Sequence, residues 1–200
     1  MPCYSIDGVI PVVDPTAHVH PTAVLIGDVV VGPGCYVGPG ASLRGDFCRI
    51  RLGQGANIQD NCVVHGFPGH DVCIERDGHV GHGAVLHSCT VRSGALIGMH
   101  AVIMDDADIG QDAIVAACSF VRAGMQVAPR TLVAGVPARL VRELSTSEVA
   151  WKAQGTASYQ DLTVRCLASL TEVAPLAELD ADRPGLKVPD VRPLLETQRN

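Results

Sequence analysis

Three histidines have the residue type and the clustering of a catalytic metal site. His65, His82 and His87 lie close together in the chain, at interruptions of an otherwise regular aliphatic pattern. Three neutral imidazoles and one water molecule form the ligand set of a catalytic zinc ion. The spacing of five between His82 and His87 differs from the spacing of four that places two zinc ligands on one helix face. The sequence therefore predicts a zinc site whose ligands are brought together by a fold other than a helix.

Aliphatic residues recur at intervals of six through the first two thirds of the chain, and this pattern must position the histidines. The series comprises Val19, Leu25, Val31, Val37, Leu43, Leu52, Ile58, Val64, Val80, Leu86, Val91, Ile97, Ile103, Ile109, Val115, Val121, Val127 and Val133. A period of six is neither the 3.6 of a helix nor the 2 of a strand. It indicates a hexapeptide β-helix, in which three steps close one triangular coil. The eighteen steps predict an all-β triangular prism of about six coils.

The interruptions of this repeat determine where the histidines point. His65 and His87 each follow an inward aliphatic residue directly, so both are predicted to face outward on adjacent coils. His82 follows Val80 by two positions and is predicted to project around the corner. Because outward histidines on a lone prism have nothing to bind against, we expect a second subunit to complete the site. We interpret His79 as a structural residue beside the site. The remaining histidines, His18, His20, His70 and His100, are interpreted as solvated surface residues.

Other polar residues near the interruptions have side chains suited to an anion and to water. Arg44 offers a planar guanidinium that matches a carboxylate or bicarbonate. Gln59 shares the repeat position of the first and third candidate ligands, so we expect it to reach a metal-bound water molecule. Asp46 and Asp60 are carboxylates that can hold Arg44 in place. An ion pair between subunits is an equally supported role for this arginine and these two aspartates.

Composition excludes several classes of function. The net charge of −6 argues against a nucleic-acid partner, which requires a basic stripe. No apolar stretch is long enough to span a bilayer, and the N-terminus lacks the features of a secretion signal, so we expect a cytoplasmic protein with no membrane partner. Several of the eight cysteines occupy the small inward position of the repeat. We therefore interpret them as free thiols in a reducing compartment.

The chain is predicted to contain three parts. Residues 1–139 form the β-helix domain, including a short N-terminal lead-in. Residues 140–174 form one or two helices, interrupted near Gly155, that start at the capping box of residues 145–148 and pack along the prism through apolar side chains. Residues 175–200 carry several prolines amid mixed charge and are predicted to be an extended tail.

The candidate site resembles that of the γ-class carbonic anhydrases. Their pattern corresponds to Arg44-Gly45-Asp46, Asn57-Ile58-Gln59-Asp60, His65, and the pair His82 and His87. The resemblance implies a left-handed parallel β-helix and a homotrimer with metal sites between subunits. It implies that His65 and His87 come from one subunit and His82 from its neighbour. It also implies Zn²⁺, or Fe²⁺ or Co²⁺ in its place, and a role for Asn57 and Gln59 in catalysis.

Over nearly its full length the chain also resembles the family of phenylacetic acid degradation hexapeptide proteins, a near relative of the carnitine-operon hexapeptide proteins. The resemblance is carried by residues 20–29, 41–47, 55–63 and 65–68, with Glu143-Leu144, Ala150-Trp151-Lys152, Gly155 and Tyr159-Gln160. It implies a thioesterase that hydrolyses CoA thioesters formed in phenylacetate degradation. If the C-terminal helix folds over a neighbouring site, Tyr159 is a candidate hydroxyl group beside that site.

The chain departs from the γ-class pattern in its proton-transfer residues. Phe47 stands where the archetypal enzyme has glutamate, and the loop of residues 66–77 is short. Fast CO₂ hydration needs proton export, so these departures favour a slower hydrolysis. Hydrolysis of an acyl-CoA thioester is the favoured prediction. The alternatives are hydration of CO₂ to bicarbonate at the same zinc site, a metal-free hexapeptide acyltransferase, and a non-enzymatic scaffold.

Overall fold

Short strands stack into the three flat faces of a left-handed parallel β-helix. The computed structural model describes residues 2–186, 189, 191, 192 and 196. In chain order the strands are β1 Cys3–Tyr4, β2 Val12–Val13, β3 His18–Val19, β4 Val24–Val31, β5 Tyr36–Val37, β6 Ser42–Leu52, β7 Asn57–Ile58, β8 Val63–His65, β9 Val72–Ile74, β10 His79–Val80, β11 Val85–His87, β12 Thr90–Val91, β13 Leu96–Ile97, β14 Val102–Ile103, β15 Asp108–Ile109, β16 Ile114–Val115, β17 Phe120–Val121, β18 Gln126–Val127, β19 Thr131–Gly135 and β20 Ala138–Glu143. One helix, α1 Thr146–Ser169, follows them.

Each face contains one strand from every coil. Face one consists of β1, the first half of β4, the first half of β6, β8, β11, β14 and β17. Face two consists of β2, the second halves of β4 and β6, β9, β12, β15 and β18, and face three runs from β3 through β5, β7, β10, β13 and β16 to β19. The long strands β4 and β6 bend around the corner between faces one and two. The prism therefore has seven coils.

The predicted number of six coils is wrong because the lead-in completes a first coil with β3, and because β9, between Val64 and Val80, adds a further step whose inward residue is Ile74. The three short strands of the first coil pair with the coil above, as Cys3 does with Leu25 and Val12 with Val30. The hexapeptide pattern misses this coil because its strands are joined by an irregular turn in which Ile6 bridges to Val9. The structure thus extends the repeat to the start of the chain.

The aliphatic series forms the core of the prism. Of its eighteen members, all except Val19 are buried. Val19 is partly buried and packs against the same cluster. Cys35, Cys62 and Cys89 fill the small inward position and are free thiols, as the repeat predicted. Burial raises the pKa of Cys35 and Cys62 to about 11, so both remain protonated at neutral pH.

A single helix covers part of face three, and the predicted interruption near Gly155 is absent. A lone glycine lowers helix propensity by about 1 kcal/mol, which packing against the prism outweighs. The expectation that apolar side chains mediate the packing is also wrong, since Leu167 and Leu170, two apolar residues at the end of this segment, are exposed. The buried residues are instead polar, with helical spacings of four, four and seven. They are Glu148, Lys152, Thr156 and Thr163. The surface of the prism below this stretch carries polar and aromatic groups, which explains the polar contact face.

The start of α1 is fixed by the predicted capping box. Ser145 Oγ accepts a hydrogen bond from the Glu148 amide at 3.2 Å, and the Ser145 amide donates to Glu148 Oε2 at 2.9 Å. Arg142 of β20 donates two further hydrogen bonds to the same carboxylate, at 2.7 and 2.9 Å. The hydrogen bonds from Arg142 and Ser145 lower the pKa of Glu148 to about 2. The strand and the helix are thereby joined through one buried carboxylate.

We expect Glu148→Gln to lower the melting temperature by about 2–4 °C at pH 7, as the loss of roughly 1 kcal/mol of capping predicts. A carboxyl group with a depressed pKa stabilises the fold above its unfolded pKa of 4.5, and this contribution disappears as the pH falls toward about 2. Thermal melts at pH 7, 4 and 2.5 should therefore show a shrinking difference from the unchanged protein. Glu143→Gln, on the exposed strand beside it, is the control. A difference independent of pH would contradict this assignment.

The region after the prism begins with an antiparallel strand. β20 pairs with β19 and crosses the predicted boundary between residues 139 and 140. Residues 171–186 are exposed and contain no regular helix or strand. Of the tail predicted for residues 175–200, the remaining positions 187, 188, 190, 193–195 and 197–200 lie outside the described residues. Across the described part of the chain, no helix is long and apolar enough to cross a membrane.

Candidate metal centre

Two of the three candidate ligands lie side by side on face one. Strands β8 and β11 pair in parallel, with His65 directly opposite His87. Nδ1 of His65 is 3.3 Å from Nε2 of His87. Arg44 belongs to β6, which pairs with β8 on the coil below. The common repeat position thus places these two histidines on neighbouring coils, as the sequence predicted. We call His65 and His87, together with Arg44 and the carboxylates that hold them, half-site one.

Carboxylates hold the outer nitrogens of both rings. His65 Nε2 donates to Asp46 Oδ1 at 3.0 Å, while Arg44 donates to Asp46 Oδ2 at 2.6 Å. His87 Nδ1 donates to Asp105. Burial acts to raise the pKa of Asp46, but the hydrogen bonds from Arg44 and His65 outweigh it, and the net shift is downward. Asp46 is therefore an ionised acceptor at neutral pH.

This arrangement leaves the two inner nitrogens facing each other. In neutral rings whose outer nitrogens donate to the aspartates, the inner nitrogens of His65 and His87 are free to act as ligands. A tetrahedral zinc ion with Zn–N bonds of 2.0–2.1 Å separates two ligand nitrogens by about 3.3 Å. The observed separation is the same. Carboxylate partners of this kind are typical of histidines that bind a metal. Half-site one therefore fits a cation between its two rings.

An apolar rim surrounds half-site one. The Phe47 ring centroid lies 5.4 Å from that of His65, and Phe67 contacts His87 edge-on at 4.9 Å. Both phenylalanines are more than half exposed, at 56% and 54%. Phe47 thus presents a hydrophobic surface beside His65. These exposed rings flank the two imidazoles on the outside of the prism.

The third candidate ligand lies at another edge of the prism. His82 follows β10 of face three and precedes β11 of face one. Its Nδ1 is 2.9 Å from Asp60 Oδ2, and its Nε2 is 3.5 Å from the Tyr159 hydroxyl group of α1. We call His82, together with Asp60, Tyr159 and the residues that support them, half-site two. Among the described residues, no cluster of three or more His, Cys, Asp or Glu side chains within the single chain is arranged to hold a metal.

Gln59 belongs to half-site two, so its predicted alignment with the ligands of half-site one within the same chain is wrong. The repeat position after an inward residue occurs once on each of three faces, and Gln59 follows β7 on face three. Its amide nitrogen donates to His79 Nε2 at 2.7 Å and to Asn57 Oδ1 at 3.1 Å. Asp60 likewise pairs with His82, whereas it was expected to hold Arg44.

His79 supports half-site two from beneath α1, in agreement with its predicted structural role. Its Nδ1 lies 3.3 Å from Thr156 Oγ1, while Nε2 accepts the hydrogen bond from Gln59. Burial, and then the positive charges of Lys152 and His82, lower the pKa of His79 to about 3. The ring therefore stays neutral at neutral pH and can accept from Gln59.

Sequence reasoning missed Asp105, although a usable signal exists. Asp105 lies 18 residues after His87, which is one full coil of three six-residue steps. Residues separated by one coil are neighbours along the prism axis. Searching for acidic residues one coil away from each histidine identifies this carboxylate. With it, all three candidate ligands have one nitrogen held by an aspartate.

A groove opens between face three and α1, next to half-site two. Its volume is about 430 Å³. We call it the face-three groove. It is lined by Gln59, His79, Gly81, His82, Leu96, Ile97, Gly98, Met99, Ile114, Val115, Ala116, Ala117, Leu132, Arg142, Leu144, Glu148, Trp151 and Tyr159. The groove is thus mostly apolar, with polar groups from half-site two at one end.

Comparison with known proteins identifies the family. The chain is 53% identical to the carnitine operon protein CaiE of Escherichia coli (strain K12) over 194 residues, which cover 96% of this chain and 99% of that protein. The chain belongs to the CaiE family of hexapeptide-repeat proteins. No protein-family model matches the chain.

Solved structures place the CaiE family among hexapeptide proteins described as transferases. A hexapeptide transferase family protein from Anaplasma phagocytophilum superimposes with a TM-score of 0.79 at 35% identity, covering 82% of this chain and 97% of that one. A presumed acetyltransferase from Bacillus cereus gives a TM-score of 0.82 at 31% identity, covering 83% and 96%. The chain thus shares its fold and its family with proteins assigned to acyl transfer.

We expect Asp105→Asn to weaken metal binding by about 10- to 100-fold, because carboxylates that hold a metal-binding histidine typically contribute this much. The amide still fills the space but no longer accepts as an anion from His87. The matched control is Asp106→Asn, whose carboxylate pairs with the exposed His70 at 2.8 Å. Titration with zinc in competition with a chromophoric chelator measures both variants. Equal affinities for the two would show that Asp105 does not support a ligand.

Proposed function

We propose that the chain is a metal-dependent hydrolase of CoA thioesters whose active site forms between the subunits of a homotrimer. The observation that carries this proposal is the division of three aspartate-held histidines between two edges of one prism. His65 and His87 of one subunit and His82 of its neighbour would complete the ligand set. Zn²⁺ is the favoured ion, with Fe²⁺ and Co²⁺ as alternatives.

A closed ring of subunits follows from the two unlike halves. An interface with twofold symmetry joins identical patches, so it would place half-site one against half-site one. A heterologous interface places half-site one against half-site two and leaves one free half at each end until the ring closes. The exposed rings of Phe47 and Phe67 beside one half, and the exposed Met99 beside the other, provide apolar contact surface. A trimer of this kind contains three complete sites.

The chain's own residues supply the remaining parts of the proposed mechanism. An ion bound by the three histidines would supply a nucleophile at neutral pH by acidifying water. The aspartates hold each imidazole ring in a fixed orientation. Arg44, with its guanidinium 42% exposed, can bind an anionic group of the substrate. Gln59 is held by Asn57 and His79, and it would orient the attacking water molecule from the neighbouring subunit.

Tyr159 has the properties of a hydrogen-bond donor to the reacting carbonyl group. Burial, followed by the negative charge of Asp60, raises its pKa to about 12, so the hydroxyl group keeps its proton. A donor aimed at the carbonyl oxygen stabilises the charge that develops there. Water then adds to the acyl carbon, the carbon–sulfur bond breaks, and the sulfur receives a proton. The products are a carboxylate and the CoA thiol.

The names of the relatives suggest two classes of acyl group. The resemblance to the phenylacetic acid degradation proteins favours an aromatic acyl-CoA, whereas the relative in Escherichia coli is named for the carnitine operon. Both classes share the CoA thioester, so the proposed reaction is the same for each. We propose a cytoplasmic location because CoA thioesters are intracellular metabolites.

Metal-free acyl transfer is the second candidate, and the solved relatives described as transferases favour it. In that reaction one histidine acts as a base, and an amine or alcohol replaces water. Hydration of CO₂ uses the same metal site as the proposed hydrolysis and is a side activity to be measured. A scaffold without catalysis would show no hydrolysis, no acyl transfer and no hydration of CO₂.

The deciding experiment combines metal analysis with an activity panel. Protein purified without chelators is expected to contain about one metal ion per subunit. It should release CoA from phenylacetyl-, acetyl- and carnitine-derived thioesters, and chelation should remove the activity while added zinc restores it. CoA release that depends on an added amine and survives chelation would support the acyltransferase instead. Protein without metal and without either activity would support the scaffold.

A further inference from the structure

Face three carries an aliphatic stripe above half-site two. The outward residues of β13, β16 and β19 are Leu96, Ile114 and Leu132, and strand pairing places them directly above His79 in successive coils. At the same repeat position and in the same three coils, face two carries Thr90, Asp108 and Gln126. An outward face that meets water is expected to be polar, as face two is. Within the chain Ile114 is already buried, and the stripe presents a continuous apolar surface to the space beneath α1.

Helix α1 covers this stripe only in part. Trp151 of the helix and Leu144 before it form one wall of the face-three groove, and Met99 lies on its lining. The volume of about 430 Å³ remains between these walls. The charged residues of the lining, Arg142 and Glu148, are engaged with each other at 2.7 Å. The free part of the groove is thus a hydrophobic channel.

The channel is continuous with half-site two. Gln59, His82 and Tyr159 line the same groove as the aliphatic stripe. From His79 to Leu132 the stripe rises through three layers, which at a strand spacing of about 4.8 Å is roughly 14 Å. An extended chain advances roughly 1.2 Å per bond, so this length suits an acyl chain of about ten to twelve carbons. A reacting carbonyl group at half-site two would therefore lead an acyl chain into the channel.

We propose that the face-three groove binds the acyl chain of the CoA thioester and selects linear, uncharged chains of medium length. This inference rests on the proposed function and specifies its substrate class. The carbonyl carbon lies beside His82, and the hydrocarbon extends along Leu96, Ile114 and Leu132 toward β20. Recognition comes from the burial of methylene groups, since the channel offers the chain no free charge.

Binding of non-hydrolysable S-alkyl-CoA thioethers, measured by calorimetry with the intact protein, tests this proposal separately from hydrolysis. The affinity is expected to rise by about threefold to fourfold for each added methylene. Between the ethyl and octyl compounds we expect a gain of at least about 100-fold. The gain should stop near twelve carbons, where the groove ends. An affinity that does not change with chain length would overturn the proposal.

Blocking variants test the direction of the chain. Leu132→Trp fills the far end of the groove and should weaken dodecyl-CoA binding by at least about tenfold while leaving octyl-CoA unchanged. Leu96→Trp fills the near end and should weaken both. Gln126→Trp, at the same repeat position and in the same coil as Leu132 but on face two, is the matched control. If the two groove variants affect both chain lengths equally, the chain does not follow the stripe.

Two further outcomes count against the proposal. If light scattering shows that Leu132→Trp breaks the assembly, the groove is filled by a second copy of the chain. If an alkyl-CoA that ends in a quaternary ammonium group binds more tightly than octyl-CoA, the groove recognises a cation, with Trp151 and Tyr159 as its partners.

Length-dependent binding without thioester hydrolysis would confirm the groove and reject the proposed hydrolase. Hydrolysis of thioesters without length-dependent binding would support the proposed hydrolase and reject the groove as the acyl-chain site.

Discussion

Replacing His82 with alanine is expected to remove the bound metal and to lower CoA-thioester hydrolysis by at least about a thousandfold. Loss of one of three imidazole ligands leaves two nitrogens for an ion that requires three protein ligands in a catalytic site. His65→Ala should have the same effect from half-site one. Metal content by elemental analysis and CoA release with a thiol reagent measure the two consequences independently. The fold should persist, since both side chains lie outside the core.

The matched control for these variants is His70→Ala. This histidine also pairs with an aspartate, Asp106, but both side chains are more than half exposed and neither contacts a candidate ligand in this pair. Metal content and hydrolysis should remain at the level of the unchanged protein. Stoichiometric zinc in the His82→Ala protein would refute the ligand assignment. Unchanged hydrolysis in the metal-free protein would point instead to an acyltransferase-like mechanism.

Mixing two inactive variants is expected to restore about a quarter of the sites. In the proposed trimer, a complete site requires His65 and His87 from one subunit and His82 from the next. When His65→Ala and His82→Ala chains are refolded together in equal amounts, random assembly brings an intact half-site one against an intact half-site two in about one interface in four. Metal content and hydrolysis should both recover to about that fraction. Each variant refolded alone should remain inactive.

A second mixture provides the control for this experiment. His65→Ala and His87→Ala both damage half-site one, so no arrangement of these chains contains a complete site. Their mixture should recover nothing. Recovery in both mixtures would show that the site does not need both histidines from one chain. Recovery in neither, with trimers present by light scattering, would show that His82 belongs to no shared site.

The period of six was sufficient to predict the prism because burial imposes it. A coil buries one small or aliphatic residue on each of its three faces, and eighteen of these positions recur at the six-residue spacing in the sequence. The six-residue spacing did not predict the first coil, because the turn between Ile6 and Val9 interrupts that spacing. The helix face was wrongly predicted for the opposite reason. Apolar spacing suggested Leu167 and Leu170, whereas face three is polar at the corresponding height and selects Thr156 and Thr163.

The candidate site was predictable only as far as the local repeat extends. The position of a residue within the six-residue step predicts whether its side chain faces outward. Its position within the eighteen-residue coil determines on which of the three faces it lies. Gln59 and His65 share the first position and differ in the second, so the sequence grouped them within one chain and the structure separates them. The candidate ligands are conspicuous in the sequence because histidines at interruptions of a repeat have no evident packing role. Their aspartate partners depend on neighbouring coils, which linear spacing does not display.

The stacking of coils also determines the order in which the chain folds. Leu25 pairs with Leu43, and the same separation of about one coil recurs along the prism. Contacts of such short range close small loops at little entropic cost, so the coils can form in sequence as the chain is synthesised. The contacts of α1 are different. The Thr163 hydroxyl group donates to the Cys35 carbonyl oxygen at 3.5 Å, across 128 positions.

Docking of α1 on face three therefore requires that the coils it contacts have formed. Until the ribosome has released the helix, the polar stripe of face three containing Tyr36, Asn57 and His79 is open to water. Tyr159 reaches His82, and Thr156 reaches His79, only when that step is complete. A nascent prism consequently displays its histidines before the groove beside them exists. The protein acquires a finished half-site two only when nearly its entire length has been made.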